Sequence, residues 1–160
     1  MDKKQKTPAV IIIFLIWIGY SFLSTLFLFI TNKSMLGPFF LEGVSSAIYI
    51  SIILIIYALI FFFTLKRNPL GRKITLIYYS LSILIIIVNI ATYFTNKEAV
   101  INFISSNGNI NTVNSIVPIE NVVLFGLLFV LLFQIVITTL IIILMVKKKD
   151  YFTSNISKEI

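Results

Sequence analysis

The chain reads as an all-α, polytopic membrane protein with four transmembrane helices in an antiparallel bundle and both termini in the cytoplasm. Three observations lead there. Residues 8–30, 45–65, 74–94 and 121–146 form four long runs without a single Asp, Glu, Lys or Arg. The 160-residue chain is 59% hydrophobic and 12% charged, with a mean hydropathy of +1.05, far more apolar surface than a soluble domain of this size buries. Basic residues also gather at alternate ends of the runs, as the positive-inside rule requires.

Each run has the length of a hydrocarbon crossing, about 20 apolar residues at 1.5 Å rise. The first is expected to start with Thr7 as N-cap and Pro8 in the first turn, where a missing N–H costs nothing. Lys3, Lys4 and Lys6 resemble the positive region of a signal peptide. The apolar stretch is too long for a cleaved one, however, so it is expected to stay as an anchor. In the loop 31–44, Gly37-Pro38-Phe39-Phe40 predicts a turn with two aromatic rings at the interface.

The second and third runs are joined by residues 66–73, in which Asn68-Pro69-Leu70-Gly71 suits a type I turn. So short a link makes the two helices antiparallel neighbours. Residues 95–120 form the one sizeable extramembrane segment, an outer loop. Ala99, Val100, Phe103 and Ile104 predict a short helix there, on the membrane surface, and Ser105-Ser106-Asn107-Gly108-Asn109 ends it. The fourth run is long enough to need tilt. All 160 residues form one membrane domain.

Orientation follows from the cations. Lys3, Lys4 and Lys6, then Lys66, Arg67, Arg72 and Lys73, then Lys147, Lys148, Lys149 and Lys158 fall on one side; Lys33 and Lys97 fall on the other. The cell membrane, with N- and C-termini cytoplasmic, is the expected location. A formal charge of +7 held in clusters against the membrane implies anionic lipid headgroups as partners and no nucleic acid. Lys66, Arg67, Arg72, Lys73, Lys147, Lys148 and Lys149 are the candidate headgroup contacts.

Polar residues within the runs mark inner faces, because hydrocarbon penalises them. Thr75, Tyr79, Ser82, Asn89 and Tyr93 fall within roughly 40° of one line at 100° per residue, a polar stripe on the third helix. Gly43, Ala47 and Ser51, continued by Ala58, put small residues every few positions on the second helix and predict a close-packing face. Trp17, Ser21, Ser24 and Thr25 share a face of the first helix. Gln134 and Thr138 lie one turn apart on the fourth, and Gln134 and Ser82 both fall about 20 Å deep, near the midplane. Ser82, Asn89, Gln134 and Thr138 are therefore expected to pack between helices or to line a path.

The chain has no Cys and no His, which removes disulfides, thiol nucleophiles and the commonest zinc ligands and general bases. Glu42, Glu98 and Glu120 stand isolated at outer interfaces and make no catalytic set. Asn32-Lys33-Ser34 matches a glycosylation acceptor but abuts the membrane. No cofactor or metal is expected, and no enzymatic activity. Eleven lysines against two arginines, with frequent Ile, Asn and Phe, suit an AT-rich prokaryotic genome.

The basic Gly71-Arg72-Lys73 and the closing Lys147-Lys148-Lys149-Asp150-Tyr151-Phe152 resemble those of the small uncharacterised four-helix membrane proteins of bacteria and archaea. That resemblance implies a fold and no activity, so it carries over no functional residue. The expected function is interaction with another membrane protein, with a second copy of the chain or with lipid, as an accessory, assembly, regulatory or immunity-type subunit. The alternative is transport of a neutral or lipophilic small molecule, without ion coupling.

Overall fold

A computed structural model describes residues 7–36, 38–105 and 119–153. In chain order these form α1 (Ala9–Thr31), β1 (Lys33–Leu36), β2 (Phe39–Glu42), α2 (Val44–Leu65), α3 (Pro69–Thr95), α4 (Lys97–Ser105), α5 (Ile119–Lys147) and α6 (Lys149–Thr153). Four of these helices, α1, α2, α3 and the 125–147 part of α5, are long and apolar enough to cross a membrane. They make the chain a multi-pass membrane protein.

Local signals explain the helix ends, with some departures from the sequence reading. The N-cap of α1 is Pro8, not Thr7, and no side chain caps that end. The link between α2 and α3 is only Lys66, Arg67 and Asn68, because α3 begins at Pro69 and not at residue 74. Asn68 and Pro69 act as cap and first helical residue, with Asn68 Oδ1 accepting from the Leu70 N–H at 2.9 Å, instead of opening a turn.

The end of α2 is a Schellman motif. Arg67 takes φ 53°, its N–H bonds the Thr64 carbonyl at 3.0 Å, and the Asn68 N–H reaches back to the Phe63 carbonyl at 2.9 Å. One turn of chain thus closes α2 and opens α3. Gly71 consequently lies inside α3, where the backbone of Phe63 and Thr64 passes so close that an added Cβ would sit 2.9 Å from it.

In the loop 31–44 the expected turn joins two short strands: Pro38 is a turn residue between them, and Gly37 lies outside the described residues. β1 and β2 pair antiparallel with Lys33 opposite Glu42 and Leu36 opposite Phe39. Asn32, left-handed at φ 49°, turns the chain out of α1, and the Gly43 N–H returns to the Asn32 carbonyl at 3.2 Å. Lys33 Nζ lies 3.3 Å from the Glu42 carboxylate. The hairpin is pinned to α2 by a buried contact between the Ser34 and Ser46 hydroxyls at 2.9 Å. Removing one hydroxyl strands the other in a buried site, which costs about 1–3 kcal/mol, whereas removing both leaves no orphan. Ser34→Ala and Ser46→Ala are each expected to lower stability in detergent, with the double variant losing clearly less than the sum of the two.

In the outer segment, the helix expected at Ala99–Ile104 is α4, longer at its start; residues 106–118 lie outside the described part. The expected break at 105–109 falls almost wholly there. The fourth apolar run begins slightly earlier than expected, at Ile119.

α1 packs on α2, α2 on α3, and α3 on α5. The start of α1, the end of α2, the start of α3 and the end of α5 gather at one end, here the basic end; β1, β2 and α4 occupy the other, the hairpin end. The two ends are packed differently. Ile11, Phe14, Ile18, Ile60, Tyr79 and Met145 form a tight core toward the basic end, and α6 folds beneath it with Phe152 fully buried. Toward the hairpin end a recess opens between the helices.

Candidate functional site

Residues of all four long helices, β1 and α4 line this recess, a space of about 510 Å³ running from beneath the hairpin to the middle of the bundle. Isoleucine and leucine supply seven of its eighteen lining residues, and tyrosines and small polar side chains much of the rest. Ile52 on α2 and Leu81 on α3 are both 53% exposed, so the recess opens at the protein surface.

Four of the polar residues singled out within the apolar runs, Thr25, Ser82, Asn89 and Gln134, line this one space. The Ser82 hydroxyl donates to the Tyr78 carbonyl of its own helix at 2.9 Å, the usual way a helical serine satisfies its proton. Asn89 lies one helical face with it, half-buried and engaged in a polar contact. Gln134 stands near the middle of α5 and is exposed. Its amide has no hydrogen-bond partner among the described residues.

The stripe on α3 is that helix's inner face: Thr75, Tyr79 and Tyr93 are buried, and Ser82 and Asn89 half-buried. Thr75 donates to the Gly71 carbonyl at 2.7 Å. Thr138, one turn from Gln134, is buried at 3% exposure but lies off the recess lining.

Three tyrosines of the lining, Tyr49, Tyr57 and Tyr78, escaped the sequence reading. Tyr78 Oη donates to Tyr57 Oη at 3.0 Å, with the rings edge to face at 5.3 Å, and both residues line the recess. A signal was present: tyrosine favours the membrane interfaces, so one placed mid-helix in an apolar run calls for a polar neighbour. Above them, Lys33 and Phe103 form part of the rim. Phe103 packs on Phe40 at 5.0 Å, and the Lys33 ammonium lies 5.9 Å from the Phe103 ring while pairing with Glu42.

The expected small-residue face on α2 is arranged differently. Gly43 precedes the helix, exposed, with φ 60°, and serves the return from the hairpin. Ala47 and Ser51 are half-buried, with the Ser51 hydroxyl donating to the Ala47 carbonyl at 2.8 Å, and Ala58 is exposed. The tight backbone approach is at Gly71 instead.

Among the described residues, seven cations lie at the basic end and fall into two groups. Arg67 and Arg72 turn inward. The Arg67 guanidinium lies 5.0 Å from the Tyr151 ring and donates to Thr7 Oγ1 at 3.4 Å. Arg72 Nε donates to the Met145 carbonyl at 2.9 Å, capping the end of α5. Lys66, Lys73, Lys147 and Lys149 are exposed and Lys148 half-buried, with the Lys66 ammonium 4.2 Å from the Phe62 ring. Among the described residues, no three acidic side chains come together as a cation site.

Comparison with protein-family models, curated proteins and solved structures gave no match.

Proposed function

We propose that the chain is a non-enzymatic integral membrane protein that acts by recognising another membrane component, protein or lipid, in the recess at its hairpin end. It spans the cell membrane as an antiparallel bundle with both termini and the clustered lysines in the cytoplasm, where anionic headgroups meet the lysines. The role is accessory, assembly, regulatory or immunity-type.

Gln134 carries the reading. An amide left without a partner in hydrocarbon costs about 1–3 kcal/mol by analogy with buried sites in soluble proteins. An exposed glutamine mid-way along an otherwise apolar helix therefore calls for a partner from outside the chain. The recess supports binding over passage. Ile11, Ile18 and Ile60, each fully buried, and Tyr79 at 5% exposure form a packed core between it and the basic end.

A photo-crosslinking amino acid placed at Gln134 should capture a discrete adduct in native membranes. The same group at Val136, exposed on another face of α5 at nearly the same depth, should capture only bulk lipid. Identical products at the two positions would sink the proposal.

A further inference from the structure

We infer that the recess binds an uncharged amphiphile, an aliphatic chain bearing a hydroxylated head of the monoacylglycerol kind. This inference rests on the recognition role proposed for the recess. Its volume of about 510 Å³ lies within the roughly 300–1,000 Å³ of small-molecule sites. Ile53, Ile56 and Ile85 give it a wall suited to methylene groups, and exposed lining residues such as Ile52, Leu81 and Gln134 put the space within reach of an acyl chain in the surrounding hydrocarbon.

The chemistry of the polar groups selects the head. Gln134, Asn89, Ser82 and the Tyr57–Tyr78 pair offer donors and acceptors without charge. Among the described residues of the lining only Lys33 is charged, and it already pairs with Glu42 at 3.3 Å and lies against Phe103. A carboxylate or phosphate drawn into the bundle would lose its water and meet no unmatched positive charge, a cost of several kcal/mol. A hydroxylated neutral head loses far less. The amide of Gln134 can both donate to it and accept from it.

The test uses the full chain in nanodiscs and three photoactivatable probes that share one acyl chain: a monoacylglycerol, the free fatty acid at pH 8 and a phosphatidylglycerol. The monoacylglycerol should label the protein saturably, be displaced by unlabelled monoacylglycerol, and exceed each anionic probe at least five-fold. Gln134→Leu combined with Asn89→Leu should reduce that label at least five-fold. Ile52→Trp fills the recess while keeping every polar group and should do the same. Saturable labelling led by either anionic probe overturns the inference, as does monoacylglycerol labelling that neither variant lowers. If the monoacylglycerol label is not saturable while the Gln134 crosslink still captures a discrete protein, the ligand class falls and the recognition role stands; if the crosslink is empty too, both fall.

Discussion

Gly71→Val is expected to unfold the basic end of the bundle. A Cβ at position 71 would stand 2.9 Å from the Phe63 carbonyl carbon and from the Thr64 nitrogen, and both are backbone atoms that no rotamer change can move aside. The Schellman link fixes those atoms relative to Gly71, since only Lys66, Arg67 and Asn68 separate α2 from α3. Relief therefore requires the two helices to part.

Overpacking in a rigid site costs about 1–3 kcal/mol, and more when the obstacle is main chain. The displacement would spread to Arg72, whose bond to the Met145 carbonyl depends on the position of the first turn of α3. Unfolding in detergent followed by circular dichroism should show Gly71→Val far less stable than wild type, with Gly71→Ala between them. Gly126 provides the control, because nothing lies within 4 Å of a Cβ added there. Gly126→Ala should leave stability unchanged or raise it slightly. Equal stability of Gly71→Val and wild type would show that α2 and α3 do not approach in this way.

Gly71 also marks where the sequence stopped being legible. Asn-Pro-x-Gly carries two messages at once, a type I turn and a capped helix start, and the choice depends on whether the next residues have packing partners. The Schellman bonds of Arg67 and Asn68 settle it, and they are tertiary in consequence though local in sequence. The four spans were readable because hydrocarbon length and the exclusion of charge act on every residue of a run. Ser82, Asn89 and Gln134 were readable for the same reason: polar groups are conspicuous in an apolar run.

The hairpin was not legible. Its strands are four residues each, and Lys33-Ser34-Met35-Leu36 has no periodicity to distinguish it from loop. What holds it, the buried pairing of Ser34 with Ser46, joins residues 12 apart. The recess was legible on its α3 and α5 walls and, at Thr25, on α1. Tyr57 and Tyr78 announce themselves as a pair only once the helices are placed side by side.

Phe152→Ala is expected to release α6 from the base of the bundle. After Lys147-Lys148-Lys149-Asp150 an aqueous tail is the natural reading, yet Phe152 is fully buried in a cluster with Ile11, Ile60 and Met145. It sits there because α6 folds back under α3, with the Tyr151 hydroxyl donating to the Thr64 carbonyl at 3.3 Å and the Arg67 guanidinium over the Tyr151 ring. Truncating a buried phenylalanine to alanine costs about 3–5 kcal/mol in soluble cores. A five-residue helix cannot hold its place without that burial. Trypsin in inside-out vesicles should then cut after Lys147, Lys148 and Lys149 much faster than in wild type. Tyr151→Phe separates the two contributions, since it removes one hydrogen bond of about 0.5–1.5 kcal/mol and keeps the ring under Arg67. Its cleavage should rise only slightly. If Phe152→Ala were cut no faster than Tyr151→Phe, the burial of Phe152 would not be what anchors the tail.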